Sequence, residues 1–261
     1  MQITTQPSAK TVAAGKEAAF SVQASGTGLS YIWQYSSNGG KSWKKWGSGT
    51  GISVLGLGDR NAYQFRCRVT DKAGMVVTSK AVILKVTFGI GIQPKNASGY
   101  VGKTVEYSIS AGGNGLNYLW QFSKDGGKTW GTWGRTRTIS VPITAARNAY
   151  RFRCMVGDNA GHQKTSNVVK LTVIPRITVQ PKSVQAAAGK QVSLSVTATG
   201  ASLKYKWYIS KDNGLSWYYW GGTRTTTFKA IAERNGYLFH CEIRDANGKV
   251  LTSNTARLTV K

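Results

Sequence analysis

Three stretches share a pattern of small polar and aromatic groups: SSNGGKSW from Ser36, SKDGGKTW from Ser123 and SKDNGLSW from Ser210. In the second and third a carboxylate between hydroxyls and glycines, five residues before a Trp, raises the question of sugar cleavage. That chemistry needs carboxylates gathered at one site, with a Tyr nucleophile in some families. The alternative is a turn, in which Asp accepts backbone N–H bonds and Gly takes positive φ. Only ten acidic residues are spread along 261 positions. The two histidines, His162 and His240, lie far apart in the chain, and no nucleophile–base–orienter set is suggested. Asp71, Asp158 and Asp245, each with a Gly three residues on, fit hairpin turns, whereas Ca²⁺ would need several clustered oxygens. Neither catalysis, a cofactor nor a metal site is expected.

The elements that must hold these groups repeat. Trp33, Trp43 and Trp46 recur 87 residues on as Trp120, Trp130 and Trp133, and again as Trp207, Trp217 and Trp220. Cys67, Cys154 and Cys241 keep the same step, as do Pro7, Pro94 and Pro181. The expected domains are therefore 1–87, 88–174 and 175–261, joined almost without linkers, which favours limited bending. The middle box follows S-x-D-x-G-x-T-W, which resembles the Asp-box of sialidase-type β-propellers. Propeller blades, however, repeat at about 40–50 residues, and the step here is 87.

Within each repeat the apolar residues alternate. Tyr31, Trp33 and Tyr35 share one strand face, as do Tyr63, Phe65 and Cys67, with copies at every step of 87. Seven or eight short strands per repeat, with turns between them, indicate a β-sandwich. A strand Trp followed 34 residues later by the Cys of Y-x-F-x-C, within YxWQxSxxGGKxW…RNxYxFRCxVxDxxG…TSNxxxLTV, resembles bacterial immunoglobulin-like (Ig-like) repeats of Gram-positive surface proteins. The resemblance spans essentially every repeat. It implies an all-β fold of three tandem Ig-like β-sandwiches in an extended array. It also implies a role as adhesin, ligand-binding module or spacer. The place of the second-strand Cys is taken by Val22, Ile109 and Val196, so no disulfide forms within a domain and each Cys reads as a buried hydrophobe. Phe65 stands where a corner Tyr is common; the Tyr63 hydroxyl is the substitute to look for.

Lys and Arg number 35, giving a net charge of +25, divided +8, +8 and +9 among the repeats. Such a chain attracts polyanions. Teichoic acids, sulfated or sialylated glycans, nucleic acid and anionic membrane surfaces are the candidate partners. Nucleic-acid binding is expected only as a nonspecific effect at low salt, and no apolar run is long enough to insert in a membrane. MQITTQPS reads as an opening strand, not a leader, compatible with a segment of a longer protein.

Residues that differ among repeats are free to serve a ligand. Alternation places them outward on the third, fourth and sixth strands. Repeat one offers Lys44, Lys45, Arg66 and Arg68; repeat two Arg151 and Arg153 with Arg135 and Arg137 nearby; repeat three Lys204, Lys206, Tyr208, Tyr218, Tyr219 and His240. Arg60, Arg147 and Arg234 recur, so they read either as anion contacts or as donors fixing loop carbonyls. The expected protein is a monomeric, non-enzymatic array, secreted or at a bacterial cell surface. It would bind host glycoprotein or anionic glycan, with host immunoglobulin capture and a passive spacer as the other readings.

Overall fold

The computed structural model describes all 261 residues. In repeat one the strands are β1 (Gln2–Thr5), β2 (Lys10–Ala13), β3 (Glu17–Ser21), β4 (Gln23–Ser25), β5 (Ser30–Ser36), β6 (Lys44–Ser48), β7 (Gly51–Leu55), β8 (Gln64–Thr70), β9 (Val76–Thr78) and β10 (Val82–Thr87). One sheet runs β2-β10-β8-β5-β6, with β9 also on β8; β1–β4 and β3–β7 form the opposing layer. Strand β2 runs parallel to β10, and the other pairs are antiparallel. Repeats two and three reproduce this order. The chain is thus all-β, three tandem Ig-like sandwiches.

Alternation builds the core. Trp33, Trp120 and Trp207 are fully buried, and each indole N–H donates to a loop carbonyl, that of Gly49, Thr136 or Thr223. Phe20 stacks on Phe65, and Tyr107 on Phe152, both at 5.0 Å. Repeat three has Leu194 at this position, and Phe228 from the neighbouring strand supplies the ring, 4.8 Å from Phe239. The aromatic pair survives by changing strands. Tyr107 keeps a buried hydroxyl without a partner, and burial pushes its pKa up to about 12.

Each Cys is buried and free, and burial raises the thiols to about 11, 12 and 11. The Cys67 N–H donates to the Ser79 hydroxyl, and the Ser79 N–H to the Cys67 carbonyl, across the break between β9 and β10. Tyr63 does not supply the expected corner hydroxyl bond. Its ring stacks on Tyr35 at 5.4 Å.

One Asn closes each end-to-end joint. Asn61 Oδ1 accepts the Val86 N–H, while Nδ2 donates to Asn114 of repeat two at 2.9 Å. Asn148 does the same with Val173 and Asn247, the latter at 3.2 Å. A Cβ at Gly58 would lie against the Ala111 carbonyl, so the first joint is built on close backbone approach.

Candidate functional site

The three boxes are the hairpins that join β5 to β6 and their counterparts. Ser123, buried, accepts the Gly127 N–H through Oγ and donates to Asp125 Oδ1. Asp125 also accepts from the Lys128 and Thr129 amides and the Thr129 hydroxyl. Those bonds, the Thr129 hydroxyl foremost, hold its carboxyl well below the usual range. In repeat three the Ser216 amide and Ser210 hydroxyl hold Asp212 at about 2. Asn38 accepts the equivalent bonds in repeat one. Gly40, Gly127 and Gly214 have φ of 90°, 98° and 96°, which an L side chain adopts only with strain. The carboxylates are therefore spent on turn amides.

Each hairpin folds the second Trp of its triplet back over the sheet. Trp43, Trp130 and Trp217 lie half-buried, and the first two donate their indole N–H to Gly40 and Gly127. The Arg66 guanidinium stacks over Trp43, and Arg153 over Trp130, both at 4.1 Å. Arg66 Nε donates to Gln34 and Arg153 Nε to Gln121. In repeat three the same positions hold His240, 4.1 Å from the Trp217 ring, and Tyr208, 5.4 Å from His240. Burial lowers the His240 pKa, with Glu242 opposing.

Cross-strand register sorts the outward residues into rows. In repeat one Lys45, Gln34 and Arg66 form a row, and Ile32, Arg68 and Thr78 the next. Repeat two has Thr132, Gln121 and Arg153, then Leu119, Met155 and Thr165. Repeat three has Tyr219, Tyr208 and His240; then Lys206, Glu242 and Thr252; then Lys204, Arg244 and Val250. Lys204, Lys206, Glu242, Arg244 and Val250 line a cleft of about 290 Å³. Glu242 and Arg244 complete this surface although sequence reasoning did not offer them as site residues. The alternation that turns His240 outward turns Glu242 outward too, and two residues further along the strand it reaches Arg244.

Two expected placements are corrected. Lys44 and Tyr218 do not share the outer face. They pair with Tyr35 and the buried Ile209, and so overhang the core side of the edge strand. The cause is strand alternation: Lys44 and Lys45, like Tyr218 and Tyr219, are neighbours and take opposite faces, and Trp46, two residues from Lys44, meets Phe65 edge-on at 5.4 Å. Arg137 is also used elsewhere: its Nε donates to the Ile109 carbonyl beyond strand Thr104–Ser108, whereas Arg153 lies over Trp130. Arg224 makes the matching bond to Val196. Arg151 lies beside Gly127 at the hairpin, and Arg135 is exposed in the turn after Gly131–Gly134.

Arg60, Arg147 and Arg234 donate to the carbonyls of Leu55, Pro142 and Lys229 and lie 5.1–5.3 Å over the inward Trp of their repeats. They fix loops. The sole carboxylate ion pair is His162 with Asp158, 2.9 Å apart, and His162 stacks on Phe88 at the first joint. A larger cavity of about 480 Å³ lies at that joint, but its lining is mostly apolar and its carboxylate, Asp158, is already engaged by His162. No Lys or Arg is ion-paired to a carboxylate anywhere in the chain.

A family model described as BNR/Asp-box repeat matches residues 34–45. These are one hairpin and its flanks, and the surrounding fold is a sandwich, not a blade. Among solved structures, extracellular domains 3–5 of Drosophila OTK resemble the whole chain at 15% identity and a TM-score of 0.51, with 97% of that chain covered. The N-terminal four Ig domains of Dscam1 isoforms 9.44 and 6.9 align at 11% and 13% identity, with TM-scores of 0.47 and 0.46. The two Dscam1 alignments cover 98% and 100% of this chain and 72% and 73% of those chains, in that order. At such identities the likeness concerns the fold.

Proposed function

We propose that the chain is a non-enzymatic, extracellular binding module from a bacterial surface or secreted protein, with domains at 1–87, 88–174 and 175–261. It engages anionic glycans or glycoproteins of a host or cell wall through the outer sheet faces. The carrying observation is the unpaired charge. The net charge is +25, and not one Lys or Arg has a carboxylate partner within 4 Å. Cations without internal partners leave a field that draws anionic surfaces at long range and is screened by salt. Arg66, Arg68, Lys45, Arg151, Arg153 and Arg135 supply repeats one and two; Lys204, Lys206, Tyr208, Tyr219 and His240 supply repeat three. Binding is favoured over catalysis by the way the reactive groups are used: carboxylates on turn amides, thiols buried, histidines in different repeats.

Retention on immobilised heparin across a salt series tests this reading. The chain is expected to elute late and to lose affinity steeply as salt rises. Free passage at low salt, together with silence on a glycan array, would leave host-protein capture or a spacer.

A second reading, capture of a host protein such as immunoglobulin, is favoured by the exposed side chains of Tyr219 and Leu215, 64% and 89% accessible, near the hairpin of repeat three. Aromatic residues of this kind anchor protein contacts. A serum pull-down with Leu215→Ala separates the two, since Leu215 has no part in the charged faces and charge-driven binding survives that change.

A further inference from the structure

The outer face of repeat three differs from its two copies in the kind of ligand it suits. Where repeats one and two cover Trp43 and Trp130 with Arg and Gln, repeat three exposes an aromatic row, Tyr219, Tyr208 and His240, on Trp217. Two rows away, about 7 Å per pair of residues along the strand, stand Lys204 and Arg244, with Lys206 and Glu242 between. These four charged groups share one cleft and none is ion-paired within 4 Å. The cationic donors are free to turn to a ligand, and the Glu242 carboxylate, beside the Tyr208 hydroxyl, has acceptor capacity to share.

We propose that this face is a binding site for a carboxylated sugar, a uronate or sialate-like ring within an acidic glycan. The inference rests on the binding reading above and assigns its ligand class and location. Flat aromatic side chains offer a platform for the C–H face of a pyranose, with a polar edge for its hydroxyls. Arg244 presents a planar fork that matches a carboxylate with two parallel N–H···O bonds, and Lys204 and Lys206 supply point charges beside it. Glu242 decides between ligands. A carboxylate in the middle of a cation cluster repels a densely sulfated chain. It serves a ring that carries one acid and several hydroxyls, because those hydroxyls need an acceptor that Lys and Arg lack. Charge complementarity thus favours a singly acidic, hydroxyl-rich sugar over a polyanion or an acidic peptide. No counterpart exists in repeat two, where Leu119 and Met155 occupy the Lys206 and Glu242 positions.

The test uses the full chain and two probes of equal length, a hyaluronan hexasaccharide and a heparin hexasaccharide, titrated by calorimetry and by amide NMR at moderate salt. Hyaluronan is expected to perturb Tyr208, Glu242 and Arg244 amides. Arg244→Ala is expected to weaken hyaluronan at least tenfold, and Tyr208→Ala similarly. Lys80→Ala and Lys103→Ala, exposed cations of the other repeats outside the faces described above, should leave it within twofold. Glu242→Gln is expected to weaken hyaluronan several-fold while strengthening heparin. If Glu242→Gln strengthens both probes alike, net charge alone is at work and the inference is overturned. It is equally overturned if Lys80→Ala costs as much as Arg244→Ala, or if hyaluronan does not bind while heparin does; in that last case polyanion binding by the array still stands. If neither probe nor any glycoprotein binds at low salt, both readings fall together. Folding of each variant is checked by retention of the His240–Trp217 ring-current shifts, so a loss of binding is not confused with a loss of structure.

Discussion

Repeats one and three start from the same sheet and the same folded-back Trp and end in different surfaces. Arg66 lies over Trp43 at 4.1 Å and is steered there by Gln34. His240 lies at the same distance from Trp217 and is flanked by Tyr208. The fold needs a planar group on that Trp, and both side chains satisfy it. Cation–π attraction serves in one case and ring packing in the other. The scaffold therefore constrains shape at this position and leaves charge free. That freedom is where a ligand surface can diverge within one chain without a new fold.

The comparison is broken first by removing what the repeats share. Trp207→Ala and Trp33→Ala, both at fully buried positions, are each expected to cost their repeat about 3–5 kcal/mol. Repeat-resolved hydrogen exchange should show the same loss in each; a much smaller cost in repeat three would mean its core is built differently. Ser210→Ala and Ser36→Ala remove the hydroxyl that clasps the hairpin and should cost about 1–2 kcal/mol each, read by the same method. Tyr107→Phe in repeat two copies Phe20 of repeat one and deletes a buried, unpartnered hydroxyl. A gain of about 1 kcal/mol in denaturant melts is expected.

The smaller effects sharpen the difference. Tyr208→Gln with His240→Arg gives repeat three the stack of repeat one, and stability should move by no more than about 0.5 kcal/mol while the aromatic face is lost. The same change should flatten a pH slope. His240 has a lowered folded pKa, so the unfolded chain binds more protons, and stability falls as pH drops below the unfolded value of about 6.5 toward the folded one. Arg does not titrate there. Finally, Asp125 and Asp212 have depressed folded pKa values, so their hairpin contribution is complete above about 4. For Asp212 it is lost as pH falls toward about 2. Asn38 has no such proton. Amide exchange at Gly127 and Gly214 should quicken between pH 4 and 2 relative to Gly40; equal behaviour in all three would mean the carboxylates contribute nothing beyond what Asn provides.

Much of the architecture was legible from residue spacing. The 87-residue step, the alternating faces of β5 and β8, the buried free Cys and the box as a hairpin all follow from local pattern, because period-two alternation and positive-φ glycines are imposed within a few residues. The outer rows of repeat three were legible through His240 and Glu242 as outward residues, short of Arg244. Arg244 lies on the same alternation and needed only a longer reading.

What the sequence determined by itself was therefore the strand order, the repeat and the excess of positive charge. Only the tertiary structure decided how that charge is spent. Arg137 and Arg224 are turned to backbone carbonyls 28 residues away in sequence, while Lys204, Lys206 and Arg244 are left without carboxylate partners in one cleft. It also decided that Tyr219 faces Tyr208 while Tyr218 overhangs the core edge. The physical reason is the same in both cases. Which carbonyl an Arg reaches, and which of two edge-strand neighbours faces outward, depend on register between separate segments. A one-residue shift in pairing reverses every side chain, and no local pattern fixes it.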